Sequence, residues 1–193
     1  LWRPQPAPAS TGLPFLRLSS GASAAALAGA VVARPGAEAI SYNPAALQVR
    51  GQRSFGFTHS EWIQDIRHDY IWAVFARQRS SIGIAAQVSQ ARDLEFRTGP
   101  TVEPQGEFGV YDGVFNLAWA HPWNQKLRVG ANLKLIRQSI YTETATGSAV
   151  DLGLLYRPHA HLHLGLALRN FGRMSKLDQT ATALPRAVRA GGA

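Results

Sequence analysis

The chain has 193 residues, enough for one sizeable domain, with 46% hydrophobic residues and a formal net charge of +8. It has no cysteine, which excludes a disulfide framework and a thiolate metal site. Its longest small apolar run, 24–33, is about half the roughly 20 residues that a membrane-spanning helix needs. The basic balance raises nucleic acid as a partner. However, the arginines are spread through the strand-like segments (Arg67, Arg77, Arg92, Arg128, Arg157 and Arg169 among them), so no nucleic-acid partner is assigned.

Residues 1–11 form an extended, Pro-rich lead-in that begins at Leu1 without an initiator Met, as it would after removal of a leader. Residues 12–47 have a mixed pattern. Leu13 to Leu18 reads as a short extended piece with apolar residues on both faces, and Gly21 to Val32 is rich in Ala but interrupted by Gly29. With so few polar residues to solvate it, this stretch is expected to lie close against another backbone. Pro35-Gly36 and Asn43-Pro44 mark turns.

Beyond Leu47 the chain alternates apolar and polar residues with a period of two. The predicted strands are 52–60, 68–77, 80–90, 107–120, 126–140, 148–156, 161–171 and 184–191, with no clear helix among them. Gln78-Arg79 predicts a tight hairpin, and 92–106 a longer loop. Transmembrane strands need roughly 9–11 residues, and most of these reach that length. Trp62, Trp72, Trp119, Trp123, Tyr111, Tyr141 and Tyr156 are expected near strand ends, as in an interfacial aromatic girdle. A soluble sandwich or small-molecule-binding barrel, with its Leu faces as core, remains the alternative.

Few residues suggest chemistry. His159, His161 and His163 alternate as strand residues would, which makes His161 and His163 candidate metal ligands. Pro158 points instead to a polar hairpin, and no metal is assigned. Glu61, Asp65 and Asp69 surround Arg67 and His68 without an identifiable nucleophile, as in a charged rim loop. Neither a phosphate-cradling glycine loop nor a nucleophile elbow occurs, so no enzyme activity and no cofactor are expected.

Several segments together resemble the PorV/PorQ family of FadL-like outer-membrane barrels. They are Phe15-Leu-Arg-Leu18, Gly21 to Val31, Ala39-Ile-Ser-Tyr-Asn-Pro-Ala-Ala-Leu47, His59 to Arg67, Arg97-Thr-Gly-Pro100, Leu133 to Arg137, Asp151 to Tyr156 and Leu166 to Gly172. The resemblance implies an all-β transmembrane antiparallel barrel of roughly fourteen strands, about eight of them present here, with residues 12–47 as an N-terminal hatch and 48–193 as barrel strands. It also implies a bacterial outer-membrane location, contact with outer-membrane lipid, and either a fragment or a barrel completed by other copies; the fragment is the expectation. Arg34-Pro35-Gly36 departs from the acidic turn usual in relatives, so no metal or lipid contact is carried over there.

By that resemblance Gly21, Leu27, Gly29, Val31, Asn43, Pro44 and Ala45 belong to the hatch and lumen. Glu61, Trp62, Asp65, Arg67, Arg97, Gly99 and Pro100 are candidate contacts on rim loops 61–67 and 92–107. The function it implies is non-enzymatic assistance to type IX protein secretion and surface attachment, with secretion-system proteins and secreted cargo as partners. The alternative is a channel for a hydrophobic small-molecule ligand. An apolar lumen pocket near Leu27, Val31 and Val32 favours the channel, and a polar plugged lumen favours secretion.

Overall fold

Period-two alternation makes one face of each strand apolar and the other polar or small, and adjacent strands joined by short turns pair antiparallel. The computed structural model, which describes residues 12–18, 20–48, 51–97, 99, 104–177 and 180–193, is all-β in this way. Its main sheet contains β1 (Arg53–Glu61), β2 (Arg67–Arg77), β3 (Ser80–Phe96), β4 (Gly106–Pro122), β5 (Leu127–Ile140), β6 (Glu143–His159), β7 (Leu162–Met174) and β10 (Ala187–Gly192). The eight strands pair in sequence order, all antiparallel, as an open sheet. Two two-residue strands, β8 (Lys176–Leu177) and β9 (Thr180–Ala181), make a separate small hairpin.

Several boundaries differ from the sequence reading. β3 continues past Gln90 to Phe96 through an irregularity between Ala91 and Leu94, where Asp93 takes a φ of 55°. Of the loop expected over 92–106, residues 92–96 therefore belong to β3 and Gly106 to β4. β6 starts at Glu143 rather than Ser148, because Tyr141 at φ 55° lets a tight turn carry pairing to the end of the hairpin. The irregularity at Arg92-Asp93 breaks the alternation before Leu94 and Phe96, and Glu143 to Gly147 offers only Ala145 as an apolar residue, so neither extension shows a sustained apolar period. The last strand starts at Ala187, not Leu184. Trp72, expected at a strand end, lies midway along β2 opposite Gly56.

The N-terminal segment packs against one face of this sheet. Leu13 to Leu18 is not extended: Pro14, with its fixed φ, opens a 3-10 helix, Pro14–Arg17, after Leu13 in the left-handed region. Apolar residues occur on both faces of this piece because it is enclosed. Phe15 and Leu16 pack with Val114, Ile136, Ala149 and Leu184. The Ala-rich run is helical only over Ala22–Ala26, ending where Gly29 takes a φ of 79° that suits glycine. Further 3-10 turns, Ala37–Ser41 and Pro44–Ala46, set Ile40 and Leu47 against Tyr70, Val74, Ala85 and Ala118.

The opposite face carries no covering segment among the described residues. Phe55, Phe57, Ile71, Ile84, Phe115, Leu117, Leu133, Leu152, Leu154 and Leu166 are all exposed there, Phe55 to 86%. Along β5 the outward-facing apolar positions, half-buried or exposed, run from Leu127 to Leu135, about 27 Å at ~3.4 Å per residue. A water-soluble monomer rarely leaves so large an apolar surface uncovered.

Candidate functional site

The interface between the N-terminal segment and the sheet is the most organised polar region of the molecule. It is built around Asn43. As the residue before Pro44 it is held extended, and its side chain caps the following turn by accepting a hydrogen bond from Ala45 N at 3.1 Å. The same side chain donates from Nδ2 to Val32 O at 2.7 Å and to Leu154 O of β6 at 3.1 Å. One buried amide thus joins two parts of the segment to the sheet. Arg128 of β5 donates to Ala45 O and Leu47 O, and the Gly36 and Leu47 backbones form a parallel bridge.

Close approach is possible because the sheet offers bare backbone here. A Cβ at Gly153 would lie 2.8 Å from Ala45 N and 3.0 Å from Pro44 Cδ, and nearer still to Asn43 Oδ1. Gly130 and Gly165 are equally tight against Pro44 and Val32. The small residues expected in the segment therefore meet glycines of the sheet, and the fit comes from both sides.

Beside this contact, inward-facing polar residues of four strands form a buried network. Lys134 Nζ lies 2.7 Å from Asp151 Oδ2 and donates to Asn170 Oδ1 at 2.7 Å. Asp151 Oδ1 accepts from Asn170 N at 2.7 Å, and Asn132 Nδ2 reaches Asn116, Asp151 and the carbonyl of Ile40. Lys134 and Asp151 are 2% and 0% exposed, so each charge depends on the other for compensation. Arg169 donates to Leu16 O and lies over the Tyr42 ring, while Gln87 bonds Phe15 O and Ser20. Burial pushes the Tyr42 hydroxyl above its ordinary range, an effect only partly offset by the hydrogen bond from Ser20 N. None of these strand residues was singled out from sequence. The available signal was a polar residue in mid-strand at the phase opposite the apolar one, at Asn116, Asn132, Lys134 and Asp151.

Of the predicted segment residues, Asn43, Pro44 and Ala45 lie at the centre of the contact, and Val31 is buried with Ala24 and Tyr42. Gly21 is buried against Glu38, whereas Leu27 is exposed and Gly29 half-exposed in a turn. Leu27, Val31 and Val32 do not combine into an apolar pocket. The cavity that includes Val31, about 220 Å³, is shared with Ser23, Arg34, Glu38 and Tyr42.

The two candidate contact loops open at the same end of the sheet. Glu61 pairs with Arg67 at 3.5 Å across the β1–β2 connection, beside exposed Trp62 and a 3-10 turn, Ile63–Asp65. Arg97 pairs with Glu95 at 2.8 Å, Gly99 is exposed, and Pro100 lies outside the described residues, as does the lead-in over 1–11. Stacking of Tyr141 on Phe96 and its edge contact with Phe108 tie this rim together. The three histidines do not share a strand face. His159 pairs with Leu162 at the close of β6, His161 occupies the turn, and His163 belongs to β7. Among the described residues no His, Cys, Asp or Glu cluster suits a metal.

Among the described residues, no helix is long and apolar enough to cross a membrane. The sequence matches no protein-family model and no curated protein.

Proposed function

We propose that this chain forms the N-terminal hatch and first strands of a FadL-like outer-membrane barrel of the PorV/PorQ type, with a non-enzymatic role in protein secretion and surface attachment. One observation carries the membrane part: an exposed apolar face across seven strands of nine or more residues, opposite a face that buries the Lys134–Asp151 pair. Lipid is the solvent that suits the first face. Strands tilted by ~35–45° bring the ~27 Å apolar run of β5 to about 20 Å of height, near the ~25 Å band of such barrels. Hydrocarbon does not tolerate free sheet edges, so this reading requires further strands to pair with both β1 and β10.

The choice between secretion and transport rests on the inner face. It is filled by a segment that accepts hydrogen bonds from Asn132, Arg128 and Arg169, and the cavity at Val31 is shared with Ser23, Arg34 and Glu38. That favours a plugged scaffold acting through its rim loops over a gated path for hydrophobic molecules. The PorV-like role itself rests on the sequence resemblance.

Extraction of the native protein from its membranes in mild detergent tests this reading. Large secretion subunits and cargo are expected to co-purify. Bound fatty acids without protein partners would replace secretion with transport, and recovery in the aqueous fraction before detergent would refute the membrane location.

A further inference from the structure

The two ends of the sheet differ in charge. The connections at one end, 61–67, 92–107 and 140–143, mix arginine with Glu61, Asp65, Asp93, Glu95, Glu107 and Glu143. The tight turns and adjoining strand ends at the other, 77–80, 121–128 and 155–163, contain no acidic residue but carry Arg77, Arg79, Lys126, Arg128 and Arg157 with four histidines. Some of these side chains share one cavity. Arg79, Lys126, Arg128, Arg157 and His163 line a cavity of about 480 Å³, floored by Gln48 and Leu155 and walled by Trp123 and Asn124.

Each element fixes part of this cavity. Gln78, at φ 55°, turns β2 into β3 and places Arg79 at its edge. Asn124 Oδ1 accepts from Lys126 N and Leu127 N at 2.8 Å, setting the turn that presents Lys126, and Arg157 N donates to Lys126 O at 2.7 Å. Arg128 is occupied by Ala45 O and Leu47 O, which anchors the floor. Arg79, Lys126 and Arg157 are exposed, and among the described residues no carboxylate lines the cavity to neutralise them.

We propose that this cavity binds a phosphate-bearing anion. Guanidinium forks and an ammonium sharing one cavity without a counter-charge suit the several acceptor oxygens of a phosphate, and Trp123 offers an apolar surface for whatever carries it. The cavity volume is within the usual range for small-ligand sites. The phosphate could belong to a lipid headgroup or to a soluble anion. The cavity itself does not depend on the membrane reading; only the lipid source does.

The test uses the whole purified chain in uncharged detergent. Tripolyphosphate is titrated by calorimetry, and capture by phosphatidylglycerol vesicles is compared with capture by phosphatidylcholine vesicles. The variant is Arg79→Gln/Lys126→Gln/Arg157→Gln, which leaves Arg128 on the segment. The control, Arg92→Gln/Arg137→Gln/Arg173→Gln, removes equal charge at the opposite end. Binding by the native chain should weaken with salt, drop by about tenfold or more in the turn-end variant and change little in the control. Loss on phosphatidylglycerol identifies the lipid source, and loss on tripolyphosphate alone identifies a soluble one. Equal losses in both variants, no binding of either probe, or capture only of acidic protein would overturn the assignment. If the chain proves water-soluble, the tripolyphosphate titration in plain buffer still decides it.

Discussion

Gly153→Ala tests whether the N-terminal segment is seated on the sheet as described. The added methyl would stand 2.8 Å from Ala45 N and 3.0 Å from Pro44 Cδ, and closer to Asn43 Oδ1, all tighter than ordinary contact. Most of these atoms belong to backbone or to a constrained ring, so the turn itself must move away. The hydrogen bonds from Ala45 N to Asn43 Oδ1 and from Asn43 Nδ2 to Leu154 O, both 3.1 Å, have no slack for that movement. Two hydrogen bonds at ~0.5–1.5 kcal/mol each, plus a buried amide left partly unpaired at ~1–3 kcal/mol, give a loss of about 2–6 kcal/mol. Gly113→Ala is the matched control, since its nearest neighbours would be 3.9 and 4.0 Å away.

Urea unfolding in detergent, followed through the five tryptophans, measures the loss, and trypsin cleavage after Arg17 reports release of the segment. Gly153→Ala should unfold earlier and be clipped faster within the segment, while Gly113→Ala matches the native chain. A Gly153→Ala protein with native stability and protection, or equal damage at Gly113, would show that the segment does not rest there.

Three further outcomes are expected. Asp151→Ala leaves the Lys134 charge buried without its partner and should cost about 3–5 kcal/mol in the same urea assay, whereas Asp151→Leu with Lys134→Met should recover much of it; equal losses would argue against a coupled pair. Leu152→Arg on the bare face should cost about 2–4 kcal/mol in lipid vesicles, and an unchanged stability there would contradict lipid contact. The raised Tyr42 hydroxyl contributes stability that is complete below its ordinary value and declines as pH climbs through the raised one. Tyr42→Phe should therefore flatten alkaline unfolding curves, and identical curves would remove Tyr42 as a buried neutral hydroxyl.

The strand order was legible because alternation is a local signal: Leu127 to Leu135 and Leu162 to Leu168 declare their apolar face residue by residue. Strand ends were not, because the irregularity at Arg92-Asp93 breaks the period before Leu94 and Phe96, and Glu143-Thr144 enters a stretch where Ala145 is the one apolar residue before Gly147. The 3-10 turn at Pro14–Arg17 was hidden for the opposite reason, since a piece enclosed on all sides is apolar on all sides. Asn43-Pro44-Ala45 stood out because a cap followed by proline is a local device. Lys134, Asp151 and Asn170 could not, for they meet only through the register of β5, β6 and β7. The Asn170 backbone, at φ 60° beside the irregularity after Val150, is what turns its N–H toward Asp151.

This division bears on what the segment can do. A path along the covered face would require Ile40, Ala45 and Leu47 to leave donors on Asn132 and Arg128, and Leu16 to leave Arg169. Each departure would expose an uncompensated buried polar group, and these are spread along the segment from Leu16 to Leu47, so displacement at one point does not release the rest. A gate works best on a few separable contacts, whereas these act together. Anchoring at so many points supports the proposed plugged scaffold, with the rim loops and the cationic turn end as its proposed contact surfaces.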